Sequence, residues 1–161
     1  RGLRAGAAAD RGGSGVSGAE QTAGSMQVHG ACHCQAIRLT AEVQPSRVFV
    51  CHCTDCQVLT GSAFRVVVPV VPGSLRVQGT VKGYARTAES GNVRWQYFCP
   101  ECGTPLYAGT QDGTGLATVR VGVLLERALL TPSAQLWRRS AMPWVDALDG
   151  VPACERQELL G

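Results

Sequence analysis

Ile37, Leu39, Ala41 and Val43 alternate with Arg38, Thr40 and Glu42, the period-two pattern of a strand with one buried face. Pro45-Ser46 turns the chain, and Val48-Phe49-Val50 predicts a short strand running into a cysteine cluster. Thr60-Gly61-Ser62 reads as a loop. Phe64 to Val71 is β-branched and apolar, a buried strand whose ladder Pro69 limits. A turn at Pro72-Gly73 leads to a short strand, Leu75 to Gln78, with its own turn at Gly79. Val93, Trp95 and Tyr97 alternate with Arg94 and Gln96 to deliver Cys99, and Leu116 to Leu125 predicts another strand, faced by Ala117, Val119, Val121 and Val123. Pro132, Pro143 and Pro152 punctuate the remainder, which is expected to wrap the core. Helix signals are weak throughout, so the pattern predicts a mainly β, single-domain protein over residues 26–155.

Residues 1–25 are Gly, Ala, Ser and scattered charge without apolar periodicity, and are expected to form a disordered extension. Met26 directly after them is a candidate natural start. Asp10, Glu20 and the glycines argue against a targeting helix despite Arg1, Arg4 and Arg11. Residues 156–161 are a short tail.

Composition fits this picture. The 161 residues carry 20 glycines, 8 prolines and 45% hydrophobic positions, suiting one turn-rich domain with a modest core. A net charge of +3 is too small to argue for nucleic acid, and one Trp137-Arg138-Arg139 stretch adds little. No run of about 18 apolar residues predicts a membrane span. Eight cysteines raise the question of a secreted disulfide scaffold. The absence of an apolar signal segment, a chain long enough to bury its own core, and close thiol spacings favour metal binding in a reducing, cytoplasmic setting.

Seven of the eight cysteines fall into tight groups: Cys32-His33-Cys34, Cys51-His52-Cys53-Thr54-Asp55-Cys56 and Cys99-Pro100-Glu101-Cys102. A closed structural zinc site takes four ligands, and a catalytic one keeps a position open. Cys32, Cys34, Cys99 and Cys102 could form the closed site, leaving Cys51, Cys53 and Cys56 for an open one. Pairing Cys51 and Cys53 with Cys99 and Cys102 instead strands Cys32, Cys34 and Cys56. Thiolate ligands favour zinc, with an iron–sulfur cluster compatible on ligand type alone.

Gly30-Ala31-Cys32-His33-Cys34, Cys51 to Cys56 with Gly61-Ser62, and Glu89-Ser90-Gly91 through Phe98-Cys99-Pro100-Glu101-Cys102-Gly103-Thr104-Pro105-Leu106 resemble the glutathione-dependent formaldehyde-activating (GFA) family, or CENP-V/GFA domain. The resemblance extends to Pro143-Trp144-Val145 and Asp149-Gly150-Val151-Pro152. It implies an Mss4-like zinc-binding β-fold with two Zn²⁺ per chain. One is structural, on Cys32, Cys34, Cys99 and Cys102; the other is of catalytic type, on Cys51, Cys53 and Cys56. The implied activity is that of a carbon–sulfur lyase joining glutathione to formaldehyde as S-hydroxymethylglutathione. A thiol bound to Zn²⁺ is deprotonated. Three thiolates around Zn²⁺ carry a formal charge of −1, so thiolate delivery outweighs carbonyl polarisation. Two departures bear on the pocket walls: Gln35 stands where many relatives carry Gly, and Ser133-Ala134-Gln135 where many carry a His.

Glutathione's carboxylates need cations, for which Lys82, Arg86, Arg94 and Arg120 are candidates. His52 could shuttle protons, though a polar filler of the turn is the commoner role, and His33 is a weaker candidate. Asp55 reads as a turn residue before a general base. Trp95, Trp137 and Trp144 read as core or interface anchors, and Cys154 as an incidental thiol. The rival to the lyase is a zinc-stabilised binding module without turnover, since fold alone does not decide function.

Overall fold

The computed structural model describes residues 24–88 and 91–157. The disordered extension expected over 1–25 and the tail from 156 therefore lie almost wholly outside the described residues. Ten strands follow in chain order: β1 (Met26–Ala31), β2 (Arg38–Val43), β3 (Phe49–Cys51), β4 (Arg65–Pro69), β5 (Arg76–Gln78), β6 (Lys82–Thr87), β7 (Val93–Phe98), β8 (Pro105–Gly109), β9 (Thr118–Arg120) and β10 (Ala134–Leu136). One short helix, α1 (Thr54–Thr60), interrupts them. The mainly β expectation holds.

A small antiparallel sheet has the order β1-β2-β5, and a larger one the order β10-β3-β4-β9-β8-β7-β6. Only β10 joins its neighbour in parallel, aligning Leu136 with Cys51. The alternation read from Ile37 to Val43 is the buried face of β2: Ile37, Leu39, Ala41 and Val43 are each at most 2% exposed. They meet Val68, Val119, Val121 and Leu124 from the larger sheet and the segment after it. Single bridges between Gly30 and Leu124 and between Val43 and Val70 link the two layers.

Because side chains alternate across a strand, the register fixes what the larger sheet presents on its other face. Cys51 pairs with Arg65, Val67 with Arg120, Thr118 with Ala108, and Ala108 with Gln96. Cys51, Arg65, Arg120 and Gln96 thus share the face away from the core. Asp55 of α1 and Arg86 of β6 form an ion pair, tying the helix to the far edge of that face.

Several expectations need correction. Leu116 to Leu125 is not one strand: pairing stops at Arg120, and Val121–Val123 forms a 3₁₀ turn that carries Val121 into the core. Strands β6, β8 and β10 carry no apolar alternation strong enough to stand out. Helix α1 went unread because its seven residues are too few for a helical period and its N-cap is a cysteine. Trp137 and Trp144 are 39% and 53% exposed, so neither anchors the core. Among the described residues no helix is long and apolar enough to cross a membrane.

Gly79 closes the turn after β5 with φ +94, and a Cβ there would lie 2.5 Å from the Ala36 carbonyl oxygen. Both the backbone angle and the clash penalise any side chain. Gly79→Ala is expected to lower unfolding free energy by about 2 kcal/mol or more. Urea titration measures this, and an unchanged midpoint would refute the argument.

Candidate metal centres and adjoining cleft

Both cysteine-rich turns at the ends of β1 and β7 fold back tightly. Cys32 N–H donates to the Ile37 carbonyl, and Gln35 N–H to that of Cys32, each at 3.0 Å. Gln35 has φ 65, a left-handed conformation that explains why glycine suits the position. In the second turn Cys99 N–H donates to Thr104 O and Gly103 N–H to Cys99 O, with Gly103 at φ 72. The His33 N–H to Thr104 Oγ1 bond, 3.1 Å, locks the two turns together.

This brings Cys32, Cys34, Cys99 and Cys102 into one group whose sulfurs all lie within 4.8 Å of one another. Cys32 Sγ is 3.5 Å from Cys34 Sγ, which is 3.7 Å from Cys99 Sγ. A tetrahedron with Zn–S bonds of about 2.3 Å has edges of about 3.8 Å, so the group has the dimensions of a zinc site. No disulfide competes, since all eight cysteines are free. The thiols do not titrate alike. Burial raises Cys32, but the Ile37 N–H on its sulfur, 3.2 Å, brings it below the usual thiol value. The Thr104 hydroxyl pulls Cys102 down to about 5. The Ala36 N–H lowers Cys34, yet the Cys32 and Cys102 sulfurs prevail and push it up to about 12.

Cys51, Cys53 and Cys56 form the second group, again with sulfurs within 4.8 Å of one another. Cys51 ends β3, Cys53 caps α1, and Cys56 lies in the helix's first turn. Cys53 Sγ accepts from Cys56 N–H at 3.4 Å and lies 3.6 Å from Cys51 Sγ. Gly61, in the left-handed conformation, ends the helix. Gln57 Nε2 lies 2.8 Å from both the His52 and Ser140 carbonyls and fastens α1 to the chain on either side. The Cys56 thiol, hydrogen-bonded to Cys51, pulls Cys51 down to about 5. In return Cys51 pushes Cys56 far up, and burial raises Cys53.

The sulfurs group four and three, as Cys32/Cys34/Cys99/Cys102 and Cys51/Cys53/Cys56, and the alternative pairing of Cys51 and Cys53 with Cys99 and Cys102 is not formed. His52 turns away from the sulfurs. It is fully buried, Nε2 bonds Gln135 Oε1 at 2.8 Å, and the ring packs edge-on against Phe64. Because Oε1 only accepts, Nε2 carries the hydrogen, and the filler role fits better than a proton shuttle. His33 and Cys154 are exposed, and Asp55 is engaged with Arg86.

A cavity of about 410 Å³ opens between Leu59 of α1 and the sheet face; Cys51, Cys53 and Cys56 do not line it, but Arg65, the cross-strand neighbour of Cys51, does. Of the four cations proposed from sequence, Lys82 and Arg120 line it. Arg86 is held by Asp55, and Arg94 donates to the Leu116 carbonyl at 2.9 Å. Arg65, also in its wall, was missed; its signal was a lone charge within an otherwise apolar strand. A larger cavity, about 630 Å³, lies against Cys32 and the four-cysteine group. Four sulfurs saturate a tetrahedral ion, so the group with a position to spare is the three-cysteine one, which reaches the smaller cavity through Arg65.

Comparison with known proteins agrees with this architecture. An uncharacterized lyase of Schizosaccharomyces pombe is 29% identical over 87 residues, covering 54% of this chain and 61% of the lyase. The chain thus matches less than two thirds of that relative's length. A Rhodobacter sphaeroides protein of known crystal structure superposes with a TM-score of 0.52 at 19% identity, covering 66% of this chain and 98% of that one. That likeness is one of fold. The family model described as glutathione-dependent formaldehyde-activating enzyme matches residues 27–140, and with that span the chain belongs to this family.

Proposed function

We propose that the chain is a zinc-dependent carbon–sulfur lyase that joins glutathione or a related thiol to formaldehyde or a related aldehyde. The observation that carries this reading is the group of three sulfurs that has no fourth protein ligand among the described residues, with Arg65 across from Cys51 lining a cavity. The family match and the lyase name of the yeast relative point to the same class. On this reading residues 26–155 are the zinc-binding domain. Cys32, Cys34, Cys99 and Cys102 hold a structural Zn²⁺, and Cys51, Cys53 and Cys56 hold the catalytic one.

A Zn²⁺ ion bound by three thiolates supplies a position at which an incoming thiol loses its proton at neutral pH. The chain's own residues prepare that position. The N-cap geometry of Cys53 and the two Gln57 bonds fix the sulfurs of α1 relative to Cys51. Arg65, directly across from Cys51 on β4, offsets the negative charge that three thiolates bring. The Asp55–Arg86 pair holds helix and sheet edge together, so the cavity keeps its walls. In the reaction the thiol sulfur forms a bond to the aldehyde carbon, the carbonyl π bond breaks, and the thiol proton ends on the former carbonyl oxygen. Aligning sulfur and carbonyl in one cleft is itself a large part of such a rate enhancement.

Native mass spectrometry of the purified chain is expected to give two zinc ions and a glutathione adduct. Cys53→Ser is expected to keep one zinc and lose the adduct. A Cys53→Ser protein with both metals and full thiol binding would sink this reading, and two zincs indifferent to glutathione would favour a binding module.

The two metals are also expected to differ in their effect on stability. Cys99→Ser breaks the group that joins the turns after β1 and β7, and is expected to cost more than about 4 kcal/mol, as losing a structural metal does. Cys56→Ser is expected to cost much less. Thermal unfolding of the two variants decides it, and equal losses would contradict the assignment.

A further inference from the structure

We propose that Arg65 and Arg120, sharing the Gln96 side chain, form a subsite for one substrate carboxylate in the cleft between α1 and the sheet face, one strand pairing from Cys51. The pair is 5% and 7% exposed. Arg65 Nη1 and Arg120 Nη2 both donate to Gln96 Oε1, at 3.0 and 2.5 Å. The Nε atom of each is buried without a hydrogen-bond partner. Among the described residues neither arginine is in an ion pair with a carboxylate. Two guanidinium groups buried around a single neutral oxygen are costly unless an anion joins them.

The cysteine sulfurs favour the charge of both arginines, yet burial prevails at each. Arg65 is the cross-strand neighbour of Cys51; burial lowers its proton affinity, and the sulfurs of Cys56, Cys53 and Cys51 offset this only in part. Arg120 lies one strand further on, across from Val67. Burial weakens its proton affinity most, and repulsion from Arg65 comes next. The two buried cations exceed the −1 of a three-thiolate zinc centre, and Lys82, exposed in the wall of the same cavity, adds to the excess, so the cleft favours an anionic group such as a carboxylate. This count rests on the zinc reading above. Both arginines line the 410 Å³ cavity, and their planar forks suit two-point recognition of a carboxylate. The anion belongs either to the thiol, as in glutathione, or to an aldehyde that carries an acid group, such as glyoxylate.

Gln96→Glu tests the inference by placing a carboxylate of nearly the same shape between the two arginines. The variant is expected to melt higher than wild type and to bind glutathione or glyoxylate roughly 10- to 100-fold more weakly, the range for charge-assisted hydrogen bonds. Titration calorimetry supplies the affinities. Arg120→Lys, which keeps the charge but loses the fork, is expected to weaken the same ligand. If the thiol is the source, a glutathione diester blocked at both carboxylates binds wild type as weakly as glutathione binds Gln96→Glu. If the aldehyde is the source, the diester binds normally and glyoxylate is the ligand that weakens. Unchanged affinity for both ligands in Gln96→Glu overturns the subsite. The metal reading is checked separately on cobalt-substituted protein with 2-mercaptoethanol, which has no carboxylate. A cobalt spectrum unmoved by that thiol refutes the open metal site, while the calorimetry still decides the arginines.

Discussion

Seven sulfur atoms packed into two groups, each spanning less than 5 Å, are the constraint on which the rest of this structure depends. Thiols so close cannot all ionise, and within each group their proton affinities are driven apart. In one, Cys51 is pulled down to about 5 while Cys56 is pushed far up. In the other, Cys102 is pulled down to about 5 and Cys34 pushed up to about 12. Each group thus gathers negative charge on some sulfurs by leaving protons on others. A divalent cation resolves that conflict, because it replaces the shared protons and attracts every sulfur at once. The near-tetrahedral spacing in the four-cysteine group is the geometry such a cation requires.

The two groups meet that requirement with different backbone. Cys32, Cys34, Cys99 and Cys102 come from two turns 65 residues apart in sequence, joined by a bond from His33 to Thr104. That closure pins the small sheet to the larger one. Cys51, Cys53 and Cys56 lie within six residues on a strand end and one helical turn. So local a group does little to hold distant parts of the fold together. It does share a sheet face with Arg65, which lines the cleft between that face and Leu59 of α1.

Much of this was legible in the sequence because cysteine spacing is a strong signal and period-two alternation is unambiguous where one face is buried. The face of β2 from Ile37 to Val43 and the four-plus-three grouping of thiols both follow from such patterns. What escaped was whatever depends on register between strands distant in sequence. Arg65 and Cys51 are 14 positions apart, and only the β3–β4 pairing makes them neighbours. Gln96 and Arg120 meet through two further strand pairings. Helix α1 escaped for a local reason, since a sulfur cap and seven residues carry no periodic signal. The Gln35 departure from glycine gained its meaning from the backbone angle, which no single sequence displays.

The arginine pair indicates how a shared family framework can take a particular substrate. Metal-ligand geometry is set by thiol spacing and should change little among chains with the same cysteines. The face beside it is set by outward-pointing positions of β4, β7 and β9, which the core does not constrain. A polar residue there costs little when it meets solvent and a great deal when α1 and the neighbouring strands cover it. Arg65 and Arg120 are covered, so their retention needs a compensating charge. The thiolates supply one share through Cys51. The remainder falls on the cleft, and the position of Gln96 between the two guanidinium groups places the recognising surface on the sheet rather than on the metal. On the proposed reading, selection of the reactant and activation of the thiol are separate tasks, borne by different elements that meet at the β3–β4 register.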